Sequence, residues 1–164
     1  WYNNKIRKAD NRQKYEGKNH TFEYDINDPN FKALHECAIL GSEAIFNNTV
    51  PADRLRRIEQ IHNEEQKAKE RQKIEEHYQH ELAGKLWLDR PVLGDASETA
   101  LVKFFQPIQD ILETRKKYPT LKYADGSEAK MPFNSNNKFA INIVKYPTPD
   151  SHHCIFMKVI LLIY

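Results

Sequence analysis

Gly94-Asp95-Ala96-Ser97-Glu98-Thr99-Ala100-Leu101 and Met131-Pro132-Phe133-Asn134-Ser135-Asn136-Asn137-Lys138 are the two stretches on which the reading of this chain turns. In the first, Asp95 stands as an N-cap with Glu98 three residues on, the pattern of a capping box. A helix is therefore predicted from about Ala96 to Phe105, stopped by Pro107. In the second, a proline and a polar turn lead into a strand. Apolar Phe139, Ile141 and Ile143 alternate there with Lys138, Ala140 and Asn142, the period of a strand with one buried face. Pro147-Thr148-Pro149-Asp150-Ser151 turns the chain, and Cys154-Ile155-Phe156-Met157 reads as the returning strand of a hairpin.

Outward from these stretches the pattern is mixed. Residues 1 to about 30 are polar with short alternations such as Phe22-Glu23-Tyr24, which fits strands joined by loops. Asp28-Pro29-Asn30 reads as a turn into a helix, with Asp28 as N-cap and Pro29 at the first helical position. Phe31, Leu34, Ala38, Ile45 and Phe46 follow at roughly helical spacing, and Gly41 ends or breaks the helix. Residues 53–82 are rich in Glu, Lys, Arg and Gln and hold no Gly or Pro. Glu65 with Lys69, and Arg71 with Glu75, share helix faces as opposite charges. One or two long, mostly solvated helices ending at Gly84 are predicted. Without a sustained heptad seam, a coiled-coil or partner-binding arm is the weaker reading of this segment. Leu86-Trp87-Leu88 is a short apolar patch, residues 108–118 suit a short helix, and Ala124-Asp125-Gly126-Ser127 a turn. No internal repeat is present.

The 164 residues, 40% hydrophobic and 29% charged, suit one soluble domain with a sizeable core. A net charge of +2 gives no basic patch of the kind nucleic-acid binding needs. Cys37 and Cys154 form neither a disulfide framework nor a zinc ribbon and read as reduced thiols. Trp1-Tyr2-Asn3-Asn4-Lys5 is not a signal peptide, and the missing start methionine makes the chain read as a piece of a longer protein. No apolar run approaches the roughly 20 residues of a transmembrane helix.

The candidate chemistry lies in the two opening stretches. Asp95 and Glu98 close a helix end as a cap, or one carboxylate oxygen caps while another faces a ligand. Phe133 is a core aromatic or a stacking surface for a flat ring. Lys138 is a solvated lysine or a mobile positive charge for a phosphate. His77 and His80 share a helix face without a third metal ligand, and His152-His153 sits in a turn; neither makes a metal site. No Walker loop, dinucleotide fingerprint, nucleophile elbow or His-Glu-x-x-His zinc motif appears.

In this order, the two motifs resemble the nucleotide-binding (N) domain of P-type cation-transporting ATPases, most like the catalytic alpha subunits of the sodium/potassium or proton/potassium exchanging pumps. The resemblance implies an α+β fold: a twisted antiparallel sheet flanked by helices. Residues 1–158 would form the nucleotide-binding domain, with 51–85 a charged helical insertion and 159–164 a divergent apolar tail of the kind a retained intron produces. Trp1-Tyr2-Asn3-Asn4-Lys5-Ile6 with Ala9-Asp10 looks like the strand leaving the phosphorylation domain, and residues 31–46 like the helix that follows. By the same resemblance, Phe133 stacks on adenine, and Glu98 accepts from its exocyclic amine. Asp95 shapes the loop, Lys138 sits beside base and ribose-phosphate, and Lys158 lines the depth of the pocket.

The implied ligand is ATP, taken as Mg-ATP in a full-length pump. The implied partners are the phosphorylation and actuator domains, the membrane helices and a beta subunit, and the implied location is the cytoplasmic side of an integral membrane protein. The Asp-Lys-Thr-Gly-Thr segment whose aspartate is phosphorylated would lie just before Trp1. No catalytic residue is therefore expected in this chain, which would hold ATP without forming the aspartyl-phosphate.

Two departures from the family stand out. Ala140 replaces a glutamine, and Val159-Ile160-Leu161-Leu162 follows Lys158 where the family has Gly-Ala-Pro-Glu. A branched residue at 159 is expected to obstruct close approach by a ligand. These departures and the charged insertion also fit a second class, an interaction module that keeps the fold and has lost ATP binding.

Overall fold

Asp28 caps the first helix as its sequence demands: its carboxylate accepts the Asn30 amide at 2.8 Å, and Pro29 occupies the first turn. A computed structural model of the chain describes residues 25–147 and 152–159. The strands expected in the first 24 residues, the tip of the Pro147–Ser151 turn and the tail beyond Val159 lie outside them. Helix α1 (Pro29–Leu40) ends at Gly41, whose N–H donates to the Cys37 carbonyl.

Ile45 and Phe46 do not continue this helix. They form β1 (Ile45–Phe46), paired antiparallel with β2 (Val92–Leu93). The apolar spacing that suggested one helix spans a break: Gly41 stops α1, and Phe46 packs against the same core from the strand.

Between β1 and β2 the chain makes a long excursion. It carries α2 (Ala52–Leu55), a single 3₁₀ turn at Ile58–Gln60, and α3 (Glu64–Ala83), capped by Asn63 and closed by Gly84. The expected charge pairs are made, Lys69–Glu65 at 2.6 Å and Arg71–Glu75 at 3.2 Å. Only Tyr78 and Leu82 of α3 are buried, and they close with Val50 into a small cluster edged by Leu55 and Ile74. The excursion thus has its own apolar contact and contributes no residue to the main core.

Helices α4 (Ala96–Phe105) and α5 (Ile111–Lys117) follow β2. The main core is Phe31, Ala38, Ile39, Ala44, Val102, Phe105 and Ile111, which joins α1 to α4 and α5. On its other side α1 meets the sheet through Leu40, Tyr118 and Val144, with Tyr146, Cys154 and Phe156 packed around them. Helix α1 is therefore the element sandwiched between the helical layer and the sheet.

The sheet has the order β3-β4-β5, all antiparallel: β3 (Lys130–Met131), β4 (Phe139–Lys145) and β5 (His153–Val159). Register sets Ala140 opposite Lys158 and Phe139 opposite Val159. Val159 is the last residue of β5. The more buried face of β4 is not the Phe139–Ile141–Ile143 face. Ala140 and Val144 are buried and share their face with half-buried Asn142, because α1 ends against that side. Val144 packs there with Leu40 of α1 and with Tyr118, and Ala140 lines the cavity. Asn142 is accepted there because its amide group donates to the Leu40 carbonyl at 2.8 Å. Phe139, Ile141 and Ile143 take the opposite face, beside exposed Ile155, Met157 and Val159.

Gly94 links β2 to α4 at φ +149°, and a Cβ placed there would lie 2.6 Å from the Ala44 Cβ. Gly126, at φ +83°, has no atom within 4 Å of that position. Gly94→Ala should cost about 2 kcal/mol or more through overpacking added to backbone strain. Gly126→Ala should cost only the strain, about 1 kcal/mol. Urea midpoints of the two variants measure the difference; equal losses would refute the close contact at Ala44.

Candidate functional site

The site begins at the N-terminus of α4. The Asp95 carboxylate accepts the Glu98 amide at 2.8 Å and the Ser97 hydroxyl at 2.7 Å. These bonds, the Ser97 hydroxyl foremost, hold its carboxyl below the ordinary range.

The return half of the capping box is not made. Glu98 is buried, and its side chain turns inward. Oε2 accepts the amides of Glu43 at 3.0 Å and Ala44 at 3.1 Å, and Oε1 accepts from the Lys158 ammonium at 2.6 Å. A carboxylate this deep needs several donors, and the segment after α1 and the strand β5 supply them.

Arg115, on α5, holds the same segment from behind. Its guanidinium donates to the carbonyls of Ser42 at 2.6 Å, Ala44 at 3.0 Å and Ile39 at 3.4 Å. Burial pushes its pKa down, opposed by the nearby carboxylates of Glu98 and Glu43. Residues 39–44 are thus gripped at their carbonyls by Arg115 and at two amides by Glu98.

These groups surround a cavity of about 330 Å³. Leu40–Glu43 form one wall, Glu98 and Arg115 another, and Ala140–Asn142 of β4 a third. Lys130, Met131, Pro132 and Phe133 close the remaining side. Lys130 is paired with Glu128 at 2.8 Å and Glu43 at 3.0 Å, and both partners raise its pKa. Two buried polar atoms of the lining have no hydrogen-bond partner, the Ser42 Oγ and the Asn142 Oδ1.

Of the five residues singled out in the sequence, Glu98 and half-buried Phe133 line this cavity, and Lys158 joins it through its ion pair with Glu98. Asp95 is exposed one turn before Glu98 and does not line it. Lys138 does not line it either. The Asn134 side chain accepts the amides of Asn136 and Asn137 in a tight turn, and Lys138 follows, exposed and at φ 61°. It is the one non-glycine residue with positive φ among the described residues.

Val159 lies on the face of β5 opposite Lys158, so its branched side chain is not interposed between Lys158 and Glu98. Ser42, Arg115 and Asn142 were not singled out in the sequence. The signal available for Ser42 was its place just past the Gly41 helix stop. Asn142 was masked by an alternation that marked its face as the polar one.

The architecture is that of an α+β domain with a cavity framed by the end of a central helix and an antiparallel sheet. The family model of the P-type ATPase cytoplasmic domain N matches residues 75–158, half of the chain, and the chain belongs to this family. It is 41% identical over 73 residues to the sodium/potassium-transporting ATPase subunit alpha-1 of Oreochromis mossambicus, covering 43% of this chain. It is 41% identical over 73 residues to the potassium-transporting ATPase alpha chain 2 of Cavia porcellus, and 40% identical to that of Homo sapiens, covering 43% and 44% of this chain. Each match spans 6% of the relative's length. No helix among the described residues is long and apolar enough to cross a membrane.

Arg115→Met should lower stability by about 2–3 kcal/mol, since charge-assisted bonds to carbonyls at the cavity wall are lost together. Arg115→Lys should recover only part, because one ammonium does not reproduce the planar fork. Chemical denaturation of the three proteins checks the order; a methionine variant as stable as the parent would refute the grip on residues 39–44.

Proposed function

We propose that this chain binds ATP as the cytoplasmic nucleotide-binding domain of a P-type cation pump. The observation that carries the reading is Phe133, a half-buried aromatic in the wall of a cavity that also holds the buried Glu98. The cavity lies at the small end of the roughly 300–1,000 Å³ range of ligand pockets. It suits a purine base with ribose and phosphates left outside. The Phe133 ring offers the base a stacking surface, worth about 1 kcal/mol beyond burial. Lys158 completes the wall through Glu98, and exposed Lys138, five positions beyond Phe133, is available to the ribose-phosphate. Asp95 acts on the base only indirectly, by fixing the start of α4 that carries Glu98.

In the whole pump the domain would orient Mg-ATP so that its γ-phosphate meets an aspartate on a separate domain. Positioning of this kind supplies much of phosphoryl-transfer catalysis. Because the grip falls on the base, binding should depend little on Mg²⁺. The partners of such a domain are the phosphorylation and actuator domains, the membrane helices and a beta subunit of the parent pump.

One observation favours a second reading, an interaction module without nucleotide. Both oxygens of Glu98 are already engaged, and Ala140 brings no hydrogen bond to the cavity wall. Exposed, charge-laced α3 would then be the working surface.

Calorimetry separates the two. The nucleotide reading expects ATP binding that persists with EDTA, falls at least tenfold in Phe133→Ala and is retained in Phe133→Trp. It also expects unchanged ATP affinity when residues 51–85 are replaced by a short linker, since the β1–β2 pairing brings the flanking strands together. Equal affinity in Phe133→Ala would remove the stacking role, and absence of ATP binding in the parent chain would favour the second reading.

A further inference from the structure

Glu98 and His35 are the buried carboxylate and the buried imidazole of the described residues. Glu98 is answered by two amides and an ammonium. His35 is in the opposite situation. Its ring lies 5.0 Å from that of Phe105, where α1 meets α4, and its Nε2 is buried with no hydrogen-bond partner. A neutral imidazole tolerates this, because it carries a proton on one nitrogen and leaves the other bare. An imidazolium carries a proton on both. Its Nε2–H would be a charged donor in the core without an acceptor, which is costly.

The neighbouring groups do little to offset that cost. His35 borders a second cavity, of about 270 Å³, between the first half of α1, the α4–α5 connection and α5. Lys32 of α1 and Lys117 of α5 line it too, and their ammonium groups oppose a further positive charge. Glu36 is the carboxylate there, but its Oε1 accepts from the Tyr118 hydroxyl and its Oε2 from that of Tyr146 at 3.3 Å. The Thr114 hydroxyl donates to the Asp110 carbonyl at 3.0 Å, and Gln109 is neutral. Helix α4 presents Phe105, which is also in ring contact with Phe31. Burial pushes the His35 pKa down, with the Glu36 charge opposing.

From this arrangement we infer that His35 is an acid-sensitive joint of the helical layer: the neutral ring holds α1 against α4 and α5, and protonation loosens that packing. The joint does not depend on whether the first cavity takes a nucleotide. It nevertheless bears on that cavity, because the same helix carries the Leu40–Glu43 wall at its C-terminal end. The unfolded chain takes up the proton first. Stability from the buried neutral ring is therefore full above the ordinary histidine range, and is lost as pH falls through that range toward the lower folded-state value.

The test measures urea midpoints of the chain and of His35→Phe at about pH 7 and about pH 5. The phenylalanine keeps a ring beside Phe105 and carries no nitrogen. The parent should lose midpoint on acidification, and the variant should lose clearly less. The carboxylates that titrate lower are common to both proteins and cancel in the comparison. Equal losses in parent and variant overturn the joint.

Should His35→Phe fail to fold, the imidazole resonances of the unaltered chain decide. Exposed His62, His77, His80 and His153 serve as references. The His35 signal should titrate below them, or stay neutral until the domain unfolds. Amides of α1 beside His35, and that of Phe105, should follow the same midpoint, while those of α3 follow the exposed histidines. A His35 signal that titrates with the references or above them overturns the joint.

Discussion

The buried carboxylate of Glu98 is the constraint on which the cavity depends. It joins three parts of the chain distant in sequence: the first turn of α4, the amides of Glu43 and Ala44, and Lys158 on β5. A buried carboxylate that lost one of these donors would be left partly unsatisfied, at a cost of several kcal/mol. The donors therefore hold one another in place. Arg115 completes the arrangement by binding the carbonyls of the same 39–44 segment. What results is a wall of backbone fixed from both sides, facing Ala140 and Asn142 of the central strand β4 and, before the turn into it, Phe133.

Helix α1 gives this wall its location. It buries one side against α4 and α5 and meets the sheet through Leu40, so its C-terminal end falls where the helical layer and the sheet converge. Gly41 stops the helix there, and a Cβ on it would stand 3.6 Å from the Lys158 Cβ. The excursion from residue 47 to 91 leaves and returns through the paired strands β1 and β2 and closes its own small cluster. Its charges are solvated and add no group to the cavity lining. A long surface excursion of this kind is tolerated because its ends are already held together and loop closure grows only slowly in cost with length.

Much of this was legible in the sequence where local chemistry decides it. Asp28-Pro29, Asp95 with its following helix, the charge pairs of α3 and the polar turn before β4 form as their residues dictate. Tertiary contacts overrode the sequence at three places. Ile45 and Phe46 kept a helical spacing but pair with β2. The deeper face of β4 is that of Ala140 and Val144, because Val144 packs on that side with Leu40 of α1 and with Tyr118. Glu98 gave up the return half of its capping box for donors 54 and more residues away. Arg115 and Asn142 carry no local signal, and Ser42 only its place past the Gly41 helix stop, since each acquires its role from elements that meet only in the folded chain.

A nucleotide cavity organised by Glu98 is tested most directly by following backbone amide resonances of the chain during an ATP titration, with GTP as the control. Saturable shifts at Ser42, Glu98 and Phe133, absent along residues 64–83 and weak or absent with GTP, are the predicted result. A folded spectrum that ATP leaves unchanged, or shifts confined to residues 64–83, would contradict it.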